Sequence, residues 1–293
     1  MSSGYVAVPG GRVWYERLDG GTATPLLLLH GGPGFTHLSF APLAALAEER
    51  PVIWYDQLGS GNSDRENDRR LWTVSRFVDE LAAVRAALDL SEVAILGHSW
   101  GTMLLAEYLG TNPSGVSSVI FSSPCLDAKR WSIDQKAYVA ELPDDLRSVI
   151  QSQEDGDEVD PTLYDKATDA FYRRHLCRTD PWPAEVTDDI AAANLDLYEF
   201  MWGPTEFSAT GTLKNFDATP KLSSLTMSAL FLCGRYDEAT PKSTESYSRL
   251  VPESEYHVFE NSGHMTYIDE PSEYIEVVGD FLRSAEQKES RHA

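Results

Sequence analysis

The stretch Val93 to Leu109 constrains this chain more than any other. Val93-Ala94-Ile95-Leu96 is an unbroken apolar run, as expected of a strand covered on both faces. It ends in Gly97-His98-Ser99-Trp100-Gly101. Thr102 to Leu109 then has helix-forming character and stops at Gly110. Strand, tight turn and helix form the context in which a G-x-S-x-G pentapeptide serves as a nucleophile elbow. Glycines at 97 and 101 relieve crowding at a strained turn. Ser99 is thereby raised clear of the sheet. The Trp100 N–H falls at a helix N-terminus, where backbone donors lack partners, so it is a candidate oxyanion donor. The same pentapeptide also occurs as an ordinary Gly-rich turn; the flanking strand and helix favour the elbow.

The same alternation recurs along the chain. Tyr5 to Asp19 reads as a hairpin around Pro9-Gly10-Gly11. Pro25 to Leu29 and Pro51 to Tyr55 read as strands. The first leads into His30-Gly31-Gly32-Pro33-Gly34, the second into Asp56-Gln57-Leu58-Gly59-Ser60-Gly61. Leu38 to Glu49 and Thr73 to Leu88 read as helices, the latter with Thr73 as N-cap. Val116 to Phe121 is a further strand. This order predicts an α/β fold with a mostly parallel sheet and helices on both faces.

From Cys125 to Asp217 the pattern changes to amphipathic helical segments. Trp131, Tyr138, Pro143, Tyr164, Tyr172, Trp182, Tyr198 and Trp202 are scattered through them, and most of the aromatics are expected in a core. Gln153 to Asp160 is acidic and reads as an exposed loop. The segment is expected to be an inserted helical cap, 125–217, between core segments 1–124 and 218–293. Strand character resumes at Met227 to Cys233, which ends in Gly234-Arg235-Tyr236-Asp237-Glu238. A helix over Lys242 to Leu250 follows. The strand Glu255 to Phe259 runs into Asn261-Ser262-Gly263-His264-Met265. A helix over Pro271 to Leu282 closes the fold, and the polar tail Ala285 to Ala293 is expected to be frayed.

Composition narrows the partners. The chain has 293 residues, with 24 Lys plus Arg against 46 Asp plus Glu, a formal charge of −22. That balance argues against nucleic acid and anionic membrane. It suits a cationic ligand such as a free amine, although most of the carboxylates serve surface solvation. The three Cys, 125, 177 and 233, have neither C-x-x-C nor metal-ligand spacing, so no metal or cofactor is expected. The first residues lack the basic and apolar regions of a signal peptide, and the apolar runs are too short to span a bilayer. A cytoplasmic location is therefore expected.

Ser99, Asp237 and His264 all fall in loops after strands, where sites form in open parallel sheets. Their order, Ser then acid then His, is that of the α/β-hydrolase arrangement. A Ser hydroxyl is a poor nucleophile at neutral pH. His264 would take its proton and return one to the leaving group, and Asp237 would hold the imidazole in the needed tautomer. Asp237 also suits an ordinary turn, and His98 and His257 are the competing histidines. His264 is preferred because Gly263 precedes it in a post-strand loop, and His98 reads as structural support beside the elbow. An N–H near Gly32 is the second candidate oxyanion donor.

The motifs at 30–34, 56–61, 97–101, 234–238 and 262–264 resemble those of the proline iminopeptidase family, serine aminopeptidases of the α/β-hydrolase fold with a helical cap. The resemblance reaches the cap through Met201-Trp202-Gly203-Pro204-Thr205-Glu206-Phe207. It implies that Glu206 and Glu238 form an anionic pocket for the substrate's free N-terminal amine. Thr102 stands where many relatives carry a second Gly. The expected function is a cofactor-free serine hydrolase that releases an N-terminal proline, or a small residue such as alanine. The donor would be a short peptide or an aminoacylated non-peptide amine. An esterase or lactonase of the same fold, and a ligand-binding protein that keeps the fold, are the alternatives. Oligomeric state is not readable from the sequence.

Overall fold

The computed structural model describes residues 1–65 and 67–292. Eight strands form one sheet: β1 (Ser2–Val8), β2 (Gly11–Leu18), β3 (Leu26–Leu29), β4 (Val52–Tyr55), β5 (Val93–His98), β6 (Val116–Ser122), β7 (Ser228–Gly234) and β8 (Glu255–Phe259). Their spatial order is β1-β2-β4-β3-β5-β6-β7-β8. The pairs β1–β2 and β2–β4 are antiparallel, and all others are parallel. The β1–β2 hairpin turns at Gly10, whose φ of 99° favours glycine. The elbow strand β5 lies in the interior of the sheet.

The unbroken apolar strands follow from burial on both faces. Leu27, Ile53, Ile95, Val119 and Phe231 pack into one core layer. Their neighbours Leu26, Leu28, Val52, Leu96, Ile120 and Leu230 pack into the other. Each such side chain contributes about 1.5–3 kcal/mol when fully buried. The first layer is covered by α1 (Val74–Ala87) and α2 (Trp100–Leu109). Thr73 caps α1, as the sequence predicts, by accepting from the Arg76 N–H.

Between β6 and β7 come α3 (Ala128–Ala140), α4 (Asp144–Glu154), α5 (Pro161–His175), α6 (Ala184–Ala192), α7 (Leu195–Met201) and α8 (Thr219–Leu222). The first three carry a small core of their own around Val139, Ile150 and Phe171, which Phe207 joins from beyond α7. The expected acidic loop starts two residues late, because α4 runs to Glu154; residues 155–158 are exposed. After β7 come α9 (Pro241–Ser248), α10 (Thr266–Asp269) and α11 (Pro271–His292).

The helix expected over Leu38 to Glu49 forms, as a 3₁₀ helix over Leu38–Glu48. Pro42 inside it can neither donate to the turn before it nor clear the carbonyl four residues back. The tail from Ala285 to His292 continues α11 instead of fraying, and Ala293 lies outside the described residues. Ala285 is buried, and Glu286 accepts from Arg50 Nη1 at 2.6 Å and from the Thr24 N–H at 3.1 Å. Those contacts join residues more than two hundred positions apart, so local polarity misreads the segment. No described helix is long and apolar enough to cross a membrane.

Candidate active site

The elbow is built by close backbone approach. A Cβ on Gly97 would lie 2.4 Å from the Gly101 carbonyl oxygen, and one on Gly101 would lie 2.2 Å from that of Leu29. Ser99 has φ 53° and ψ −119°, a conformation that costs energy for a residue with a side chain. The Ser99 N–H donates to the Ser122 carbonyl at 3.1 Å, and the Thr102 N–H donates back to the Ser99 carbonyl at 2.8 Å. The Thr102 hydroxyl donates to that same carbonyl at 2.6 Å and accepts from the Cys125 N–H at 3.1 Å. Thr102 therefore clasps the elbow to the entry of the inserted helices.

His264 and Asp237 converge on this point from the loops after β8 and β7. The His264 Nδ1 donates to Asp237 Oδ1 at 2.7 Å. Asp237 is fully buried and also accepts from the N–H groups of Ala239 at 2.7 Å and Gly234 at 3.1 Å. His264 Nε2 is buried without a hydrogen-bond partner among the described residues. In the neutral ring, donation from Nδ1 to a carboxylate leaves Nε2 with its lone pair, the form a general base needs. Both Ser99 and His264 line one cavity. His98 is buried beside the pair, its ring 4.8 Å from that of His264, and burial pushes it well below the usual imidazole range. It is held neutral, in keeping with a structural role.

The backbone N–H groups of Gly32 and Trp100 make no hydrogen bond among the described residues. Gly32 has φ 112°, and a Cβ there would lie 2.7 Å from the Gly34 nitrogen, so only glycine fits. Behind Trp100 runs a fixed chain. Its indole N–H donates to Gln57 Oε1 at 2.9 Å, and Gln57 Nε2 donates to the His30 carbonyl at 3.1 Å. The Gln57 N–H donates to His30 Nε2 at 2.9 Å. Burial holds His30 down at about 4, so it stays an acceptor there.

Two spaces meet at the site. The larger, about 370 Å³, is lined chiefly by Phe35, Tyr172, Trp182, Ile190, Tyr198 and Met265. The smaller, about 10 Å³, lies among Met103, Cys125, Trp131, Trp202 and Leu213. That is room for roughly one water, inside apolar walls. Gly32, Ser99 and Glu206 line both spaces and so mark their junction.

Glu206 is held at that junction by three aromatic side chains. Tyr198 donates its hydroxyl to Glu206 Oε1 at 2.6 Å, the Trp131 indole donates to the Glu206 carbonyl at 2.8 Å, and the Glu206 N–H donates to the Tyr172 hydroxyl at 3.3 Å. Burial raises the Glu206 carboxyl, against the pull of His264 and Tyr198. Glu238 is fully buried, and neither carboxylate oxygen has a partner among the described residues. Burial, Glu206 and Asp237 together push its carboxyl well above the usual range. Glu238 does not line either space; it is a carboxyl enclosed within the wall.

A family model described as the alpha/beta hydrolase fold matches residues 24–271. The proline iminopeptidase of Heyndrickxia coagulans is 50% identical over 285 residues, 97% of this chain and 99% of that protein. That of Clostridium botulinum is 36% identical over 274 residues, 92% of this chain and 94% of that protein. The crystal structure of the Mycobacterium smegmatis proline iminopeptidase superposes with a TM-score of 0.91 at 34% identity, covering 98% of this chain and 99% of that one. The chain belongs to the proline iminopeptidase family. It is a hydrolase of the α/β-hydrolase fold.

Within this proline iminopeptidase fold, the sequence-predicted Ser99, Asp237, His264, Gly32, Trp100 and Glu206 come together, with Glu238 enclosed behind them. Sequence reading did not find the roles of Gln57, Trp131, Tyr172 and Tyr198. For the three aromatics the signal is an unusual aromatic density in a polar helical segment, which by itself reads as core; Gln57 lies within the 56–61 motif. Among the described residues no group of three or more His, Cys, Asp or Glu is arranged to hold a metal ion.

Proposed function

We propose that this chain is a serine aminopeptidase that releases an N-terminal proline, or a small residue such as alanine, through an aminoacyl-enzyme. The observation that carries this reading is the junction of the two spaces at Gly32, Ser99 and Glu206. A scissile carbonyl there has the nucleophile and an oxyanion donor on it. A free amine one residue away faces a carboxylate, and the smaller space excludes a bulky acyl side chain: it holds a methyl-sized group as it stands, and a proline ring enters only as its apolar walls part. The names of the relatives support the same acyl group.

In this mechanism Ser99 Oγ attacks the carbonyl carbon while His264 Nε2 takes its proton. The N–H groups of Gly32 and Trp100 hold the oxyanion. The C–N bond then breaks, and the imidazolium gives its proton to the leaving amine. Water attacks the ester with His264 again as base, and the free amino acid departs as Ser99 regains its proton. Glu206 and Glu238 balance the substrate ammonium, which stabilises two carboxylates whose ionised forms burial disfavours. The leaving group, a short peptide or a non-peptide amine, lies in the larger space. Residues 125–217 act as the cap domain over a core of 1–124 and 218–293.

The test compares prolyl- and alanyl-naphthylamide with their N-acetylated forms, using wild type and Ser99→Ala. Cleavage confined to the free-amine forms and lost in Ser99→Ala is the expected result. Equal cleavage of the acetylated forms would refute the amine pocket.

A further inference from the structure

One residue of the inserted helices touches both loops that carry the candidate acid and base. His175 is the last residue of α5 and is 1% exposed. Its Nδ1 lies 2.7 Å from the carbonyl oxygen of Tyr236, the residue before Asp237. A carbonyl only accepts, so Nδ1 carries the proton. Its own carbonyl accepts from the His264 N–H at 2.7 Å, and the Leu176 carbonyl accepts from the Met265 N–H at 2.8 Å. Gly263 permits this approach, since a Cβ there would lie 2.8 Å from the His175 carbonyl oxygen.

The imidazole is held in place for this role. It stacks on Tyr138 with ring centroids 4.0 Å apart, and Phe171 meets it at 4.9 Å. Burial pushes it down to about 4, so it remains neutral throughout the neutral range. Nε2 has no partner among the described residues, which leaves Nδ1 as the ring's one fixed attachment. The two loops also meet directly, through the Tyr236 N–H and the Ser262 carbonyl at 3.0 Å. Arg235 adds its N–H to the Phe259 carbonyl at 2.7 Å and its guanidinium to Glu260 at 2.9 Å, and His175 supplements these ties with bonds at Tyr236, next to Asp237, and at His264 itself.

The geometry points to His175 as a positioning residue: its imidazole fixes the Asp237 loop, and its carbonyl the His264 loop, so that docking of the inserted helices sets the Asp237–His264 distance. This rests on the proposed roles of Ser99, His264 and Asp237. It makes α5 part of the catalytic frame as well as a wall of the substrate cavity. Misplacing a general base by an ångström costs up to about 10²-fold in rate, so a bond that holds the loop carrying its partner acid is read in kcat.

The test separates the hydrogen bond from the packing. His175→Phe keeps a ring against Tyr138 but has no donor. His175→Asn has no ring but places an N–H near the position of Nδ1. On prolyl-naphthylamide, His175→Phe should lower kcat at least about tenfold with KM within about twofold, whereas His175→Asn should hold kcat within about threefold. Inactivation by a fluorophosphonate probe should slow in the same order. Urea midpoints should rank the other way, Phe above Asn, because the stack is retained. His175→Leu, which also lacks the donor, replaces His175→Phe should the latter not fold. A kcat ranking that follows the urea ranking, or a donorless variant at wild-type kcat, would overturn the inference. A wild type that the probe fails to label would sink the Ser99 reading, and the bridge with it; a labelled wild type beside an unchanged His175→Phe would sink the bridge alone.

Discussion

On the proposed function, Glu238→Gln should separate recognition of the amine from the other parts of catalysis. Both Glu238 oxygens are buried and unpartnered, and Glu206 and Asp237 raise its carboxyl further. In the free enzyme that carboxyl resists ionisation. An incoming ammonium reverses the balance and favours the carboxylate. Truncating one partner of a buried charge pair costs about 2–5 kcal/mol. Glu238 is enclosed behind the wall that Glu206 lines, so the lower end applies, about 2 kcal/mol or roughly 30-fold in kcat/KM for prolyl-naphthylamide. Acetylated substrate has no ammonium and should lose nothing, so the free-to-acetylated ratio should fall by the whole factor. Stability should move the opposite way. A carboxyl raised in the folded state binds protons that the unfolded state has released, so stability falls as pH rises between the two values. Wild type should therefore lose up to about 1.4 kcal/mol per pH unit relative to Glu238→Gln over that interval, with no difference below pH of about 4. Steady-state kinetics on both substrates and urea melts at several pH values read the two effects. A ratio unchanged within about threefold, with folding intact, would refute the assignment of Glu238 to the ammonium.

Two further substitutions address how the inserted helices are fastened. Asp189 on α6 accepts from the Thr36 N–H at 2.8 Å and the Thr36 hydroxyl at 2.7 Å, and burial raises its carboxyl to about 6. Asp189→Asn keeps both bonds on Oδ1 and removes the titration. Because the folded value is the raised one, wild type loses stability as pH climbs from about 4 to about 6, by up to about 3 kcal/mol. The variant should match wild type at pH 4 and exceed it at pH 8 in urea midpoint; equal midpoints at pH 8 would refute the burial cost. Thr102→Val preserves shape but leaves the buried Cys125 N–H unpaired. It should lose about 1–3 kcal/mol of stability in urea melts, and no loss would show that the clasp is dispensable.

What the sequence makes legible follows from how local each constraint is. Leu26 to Leu29 are all buried because the sheet is covered on both faces, and two-sided burial leaves an unbroken apolar run in the sequence. The elbow is legible because a Cβ at 97 or 101 would strike backbone, so glycine spacing records the turn itself. Glu206 was reached only by resemblance, since one acid in a polar segment has no pattern. Tyr198 lies eight residues before it and Trp131 seventy-five before it, and neither spacing fits a helix turn or a strand pair. His175 is harder still, because both of its bonds to the loops end on or begin from backbone atoms. Every residue type has a carbonyl and all but proline an N–H, so Tyr236 and His264 bear no mark of the residue that holds them. The motifs name the groups proposed to meet the substrate. Their separation is set by contacts with no motif, made by the segment inserted between β6 and β7. It follows that a chain with every motif intact but α5 displaced would keep Ser99, Asp237 and His264 and lose the geometry that joins them.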